Sequence, residues 1–146
     1  MATRTARTAW KGTLQEGSGQ AELVSSGMGT FDVSWPKRTA DRADGTTSPE
    51  ELIAAAHASC FSMALSGIIA KAGGTPQRLD VTADVDFGPD QERGGFMISG
   101  IHLTVRGQVD GLDASGFEKA AQDAKVGCPV SKALAAVPMT VDASLE

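Results

Sequence analysis

The chain lacks tyrosine, has few aromatic residues of any kind, and contains only two cysteines and two histidines. It also lacks a surplus of positive charge, with a formal net charge of -5. That balance offers nothing to nucleic acid or to an anionic membrane surface. Two cysteines far apart do not make the disulfide framework of a small secreted domain, and neither belongs to a C-x-x-C pair of the thioredoxin kind. The start, MATRTARTAW, is basic but has no apolar signal-peptide core. It reads as the frayed end of a cytoplasmic protein. The glycine stretches 17–19 and 27–29 lead into no helix, so they are turns and not phosphate loops. No internal repeat, low-complexity tract or linker interrupts the chain. Its 146 residues suit one domain, 1–146.

What is present centres on residues 48–74, SPEELIAAAHASCFSMALSGIIAKAGG. Ser48 is a good N-cap, Pro49 suits the first helical position, and Glu51 completes the spacing of a capping box. Lys71 and the Gly73-Gly74 pair suit the other end. Between them, Leu52, Ile53, Phe61, Met63, Leu65, Ile68 and Ile69 point all round the axis, the pattern of a buried helix. Too many polar residues interrupt it for a membrane span. Before it, segments 9–14, 20–25 and 30–35 read as strands of an antiparallel meander. A polar loop, 36–47, follows and carries Lys37, Arg38 and Arg42. After the helix, 79–87 alternates strictly and 96–109 is a long strand in which Gly100 or Gly107 suits a bulge. Residues 112–126 read as a helix, 129–136 as a second short one, and 138–145 as a closing strand. The sum is an α+β fold of antiparallel sheet packed with helices. One small sheet covers one side of the central helix. Its small residues, from Ala54 to Gly67, leave room for a second copy of the chain on the other side.

Both cysteines are candidates for chemistry, and both have plain alternatives. Cys60 sits mid-helix, where a thiol is often only a small hydrophobe. Apolar surroundings raise its pKa, so reactivity requires a nearby cation. Cys128, between Gly127 and Pro129, sits at the start of the last helix, where unpaired amides favour a thiolate. Glu51 serves the cap, which leaves Glu50 to answer the helix dipole or to pair with Arg38 or Arg42. His57 and Cys60 have the spacing of half a metal site, but His102 in a strand supplies no second half. A histidine one turn from a cysteine is also the arrangement of a Cys-His hydrolase, although no oxyanion-hole glycine motif precedes Cys60.

The run TTSPEELIAAAHASCFSMAL, residues 46–65, resembles the central-helix motif of the OsmC/Ohr family of osmotically inducible and organic hydroperoxide resistance proteins. AKVGCPVSKAL, residues 124–134, resembles that family's second-cysteine motif, and the HASC form leans to the OsmC branch. The resemblance implies an OsmC-like α+β fold, an intertwined homodimer and a thiol-dependent peroxidase. Organic hydroperoxides and hydrogen peroxide would be its substrates. In that family's terms Cys60 is the peroxidatic cysteine, Cys128 the resolving one and Glu50 the catalytic glutamate. The catalytic arginine is Arg38, with Arg42 as the substitute. The implied cycle runs through a sulfenic acid and an intramolecular disulfide. An external dithiol, in the family a lipoyl-type reductant, resets it, and no cofactor or metal takes part. The rival readings are a non-enzymatic redox or ligand-binding module on the same fold and a Cys-His hydrolase. Helix geometry adds one expectation. Glu50 and Cys60, ten residues apart, lie about 15 Å apart along one straight helix. The Arg38-Glu50 pair is therefore expected to serve the cysteines of the partner chain.

Overall fold

A computed structural model describes all residues, Met1 to Glu146. The chain forms two compact units, Met1–Leu52 and Ile53–Glu146. The first contains the antiparallel meander β1 (Arg7–Lys11), β2 (Ser18–Glu22) and β3 (Thr30–Val33). β3 stops two residues earlier than its apolar alternation suggests. Ser34 turns the chain into a short helix, α1 (Trp35–Arg38), by accepting the Lys37 amide on its hydroxyl, with Pro36 in the first turn. Part of the expected polar loop is therefore helical, and Arg38 rides on that helix.

The long helix α2 (Pro49–Lys71) begins in the first unit and runs unbroken into the second. Half of the expected capping box forms: the Ser48 hydroxyl accepts the Glu51 amide at 3.1 Å. The Glu51 carboxylate does not close the other half but accepts from the Thr47 hydroxyl. At the far end Gly73 takes a left-handed conformation and the Gly74 amide returns to the Ile69 carbonyl, a Schellman closure.

The second unit is built on β4 (Thr75–Pro89), β5 (Phe96–Asp110) and β6 (Met139–Leu145), in the order β4-β5-β6. β4 and β5 form an antiparallel hairpin. β6, expected to be antiparallel, pairs parallel with β5. The cause is the crossover through α3 (Ala114–Gly127) and α4 (Pro129–Ala133), which carries the chain back so that β6 runs the same way as β5. The expected bulge occurs beside Gly100: Asp86 pairs with Gly100 and Phe87 with Ile98, which leaves Ser99 over.

The core of this unit joins Phe61, Leu65 and Ile69 of α2 to Leu103 and Val105 of β5 and to Phe117, Ala120, Ala121 and Ala124 of α3. Together with His57 these α2 residues make one buried stripe with a spacing of four. In the single chain, burial of α2 in this unit is confined to that stripe. Ala55, Ala56, Ser59, Met63 and Gly67 are exposed.

Gly107 of β5 lies against the Phe117 ring, and a Cβ there would meet ring carbons at 2.5 and 2.6 Å. We expect Gly107→Ala to destabilise the protein by about 1–3 kcal/mol, the usual cost of overpacking. Urea unfolding measures it, and Phe117→Leu in the same chain should recover part of the loss.

Candidate active site

Cys60 is placed by the middle of α2 and Cys128 by the junction of two helices. Cys128 ends α3, donating its amide to the Ala124 carbonyl at 2.8 Å, and starts α4, its carbonyl accepting the Lys132 amide at 3.0 Å. Pro129 at the first position of α4 gives up no needed donor. The junction brings the two sulfurs to 3.1 Å, and both are free thiols. A disulfide needs about 2.05 Å, so a small movement closes the bond. Cys60 is partly accessible and Cys128 is fully buried.

The two thiols are driven in opposite directions. Burial, above all, pushes the Cys60 thiol up; the Cys128 thiol adds to this, against a weaker downward pull from the Val130 amide. Burial is also the largest single influence on Cys128 and acts upward. The Ser131 amide, the Cys60 thiol, the Ser131 hydroxyl and the Val130 amide together outweigh it and hold Cys128 below the ordinary thiol value. No capping hydrogen bond closes on the neutral sulfur. A thiol is a poor acceptor, and a thiolate is the species these donors favour. Of the two thiols, Cys128 is therefore the one held low and Cys60 the one held high.

His57 is fully buried in α2. Its Nε2 lies 2.8 Å from the Ser131 hydroxyl, and burial lowers its pKa. It thus engages α4, and no hydrogen bond joins it to Cys60. His102 pairs with Thr140 across β5 and β6.

The first unit holds the other charged candidates. Arg38 meets Glu50 in a forked pair: Nε donates to the two carboxylate oxygens at 3.2 and 3.1 Å, and Nη2 donates to Oε1 at 2.6 Å. Glu50 is 8 % exposed. The guanidinium also lies 5.8 Å from the centre of the Trp35 ring, within cation–π range. Arg42 instead faces Asp44 at 3.6 Å on an exposed loop. Of the two candidate arginines, Arg38 is the one that Glu50 holds. Arg38 also contributes to the wall of a cavity of about 390 Å³ lined by Trp10, Leu14, Val33, Trp35 and Leu52. Sequence reasoning missed this cavity. Of the apolar residues near Cys60 in sequence, Phe61 lies in the core and Met63 is 73 % exposed.

Comparison with known proteins places the chain. The OsmC family, described as OsmC-like protein, matches residues 42–142. Peroxiredoxin OsmC of Escherichia coli K12 is 42 % identical over 137 residues, covering 94 % of this chain and 92 % of its own. Organic hydroperoxide resistance protein OhrA of Bacillus subtilis is 32 % identical over 132 residues, 89 % of each. The crystal structure of an organic hydroperoxide resistance protein from Elizabethkingia anophelis superposes with a TM-score of 0.76 at 26 % identity, covering 100 % of this chain and 98 % of that one.

Removing Arg38 would leave the Glu50 carboxylate buried and unpaired. We expect Arg38→Ala to cost about 2 kcal/mol of stability, below the full figure for a buried pair because the arginine is partly exposed. Arg38→Ala with Glu50→Ala should cost less than the sum of the two single changes. Thermal or urea unfolding of the four proteins measures the difference.

Proposed function

The chain belongs to the OsmC-like protein family, and from that premise we propose that it is a thiol-dependent peroxidase that reduces organic hydroperoxides, and also hydrogen peroxide, to alcohols or water. A peroxide-related redox function is supported by relatives named peroxiredoxin and organic hydroperoxide resistance protein. The observation that carries the finer reading is the 3.1 Å approach of two free sulfurs, one partly accessible and one buried. The Cys60 thiolate attacks the terminal oxygen of the hydroperoxide. The O–O bond breaks, the alkoxide leaves and takes a proton, and Cys60 becomes a sulfenic acid. Cys128 then attacks the Cys60 sulfur; the S–S bond forms, the S–O bond breaks, and hydroxide leaves as water. An external dithiol, of the lipoyl kind or another, returns both thiols and is itself oxidised to a disulfide. Such a cycle suits a reducing cytoplasm.

The active unit is a homodimer with divided sites. Cys60 needs a cation that never loses its charge, and Arg38, held flat by Glu50, is suited to the task. Because α2 is unbroken over Pro49–Lys71, the ten-residue interval from Glu50 to Cys60 extends about 15 Å along its axis. The Arg38-Glu50 pair of one subunit is thus assigned to the thiols of the other. The uncovered face of α2, with Ala56, Ser59, Met63 and Gly67, accepts the second copy.

Steady-state consumption of cumene hydroperoxide, tert-butyl hydroperoxide and hydrogen peroxide, with dithiothreitol and a lipoyl dithiol compared, tests the reading. Catalytic efficiency should favour the organic substrates if the apolar cavity beside Arg38 takes their alkyl groups, since each buried methylene contributes about 0.8 kcal/mol. Cys60→Ser should be inactive. Cys128→Ser should consume about one equivalent of peroxide and stop, or over-oxidise. Normal turnover by Cys60→Ser would overturn the assignment.

The division of the site is tested by mixing subunits. Cys60→Ser and Arg38→Ala are each expected to be inactive alone, whereas the mixed dimer regains one intact site. Absence of recovery in verified heterodimers would mean that each arginine serves its own chain.

A further inference from the structure

The proposed cycle gives no task to His57 or Ser131, the two buried polar side chains of the second unit. His57 Nε2 and Ser131 Oγ lie 2.8 Å apart. His57 Nδ1 is buried with no hydrogen-bond partner, so the ring makes this one hydrogen bond only. The pair stands in register with the cysteines. His57 comes three residues before Cys60 on α2, and Ser131 comes three residues after Cys128 at α4. A step of three forward along α2 therefore matches a step of three back at α4: His57 meets Ser131, and Cys60 meets Cys128. The two segments cross antiparallel, and the two pairs are successive rungs, one helical turn apart.

We infer that His57 and Ser131 are positioning residues: their hydrogen bond locks α4 in register on α2 and so holds the Cys128 sulfur against that of Cys60. The purpose of the lock rests on the peroxidase reading, though its geometry does not. α4 has five residues, too few for a helix that stands alone, so contacts with the rest of the unit must place it. Ser131 is its one buried side chain. Apolar contacts are non-directional and tolerate a slide along α2. A hydrogen bond is directional, and a slide would leave an imidazole and a hydroxyl buried without partners. The tolerance is small. The sulfurs, at 3.1 Å, are about 1 Å beyond bonding distance, whereas a shift of one residue along a helix is about 1.5 Å. Setting the register of packed helices is an attested use of a buried polar pair.

A test that needs no peroxide is equilibrium with glutathione. There the two protein thiols give two electrons and two protons to glutathione disulfide, the Cys60–Cys128 bond forms, and two glutathione thiols are released. The equilibrium constant is the effective concentration of one protein thiol at the other. Ser131→Ala and His57→Leu should each lower it about tenfold, the scale of one lost buried hydrogen bond. The double substitution should lower it no further. His57→Gln, which brings an N–H close to the position of Nε2, and Ser131→Thr should each recover part of the loss. Thermal unfolding of the reduced proteins records any change in stability separately. A pair that served stability alone would lower the melting temperature and leave the effective concentration unchanged, and that result would overturn the inference. So would a rise in effective concentration, effects of the two substitutions that simply add, or no recovery in either conservative variant. Ser131→Ala removes a single oxygen and carries the test if His57→Leu does not fold. Absence of any sulfenic acid in Cys128→Ser after one equivalent of cumene hydroperoxide would instead overturn the peroxidase reading and leave the glutathione result standing.

Discussion

The backbone of Cys128 is committed twice. Its amide closes the last turn of α3 and its carbonyl opens α4, so the residue has no freedom to drift. The reversal between the two helices thereby sets where its sulfur lies, and the buried stripe of α2 sets where Cys60 lies. The 3.1 Å approach is a property of helix packing. It does not depend on two mobile side chains finding each other. The same junction supplies the electrostatics. A residue just ahead of a helix faces amides that have no partner in the first turn, and here those of Val130 and Ser131 act on the sulfur. The core around α3, including the Phe117 ring seated on Gly107, keeps that junction fixed against β5.

In the second unit, burial pushes the Cys60 thiol away from the reactive form. The first unit holds an arginine gripped by a buried carboxylate and an indole. A partly accessible thiol with a raised pKa gains most from a fixed cation. In the divided site proposed above, that cation would arrive only with the second subunit.

Much of this was legible in the residues. Ser48, Pro49, Lys71 and Gly73 marked the central helix, because caps are local chemistry. Alternation marked β4 and β5 for the same reason. What was not legible depended on contacts remote in sequence. The parallel direction of β6 follows from the α3-α4 crossover, while its alternation of inward and outward residues would be the same in either direction. α1 did have a local signal, with Ser34 as cap and Pro36 in the first turn, but the apolar spacing of Phe31, Val33 and Trp35 imitated a strand. Phe61 adjoins Cys60 in sequence but not in its surroundings. In a helix, adjacent residues point about 100° apart, and Phe61 falls on the core stripe. His57 was weighed only against Cys60, three residues away. Its actual partner, Ser131, is 74 residues distant, beyond anything that spacing conveys.

The separation of the two cysteines has a thermal consequence. They are 68 residues apart, and the segment between them includes β4, β5 and α3. Each oxidation in the proposed cycle would therefore close a covalent ring around most of the second unit. A ring of that size removes enough disorder from the unfolded chain to stabilise the fold by about 4 kcal/mol. The spent form would then withstand heat better than the active one. A reductant that restores the thiols also unties the ring, so resistance to unfolding would rise and fall with each turnover, and the melting temperature of a sample would record its oxidation state.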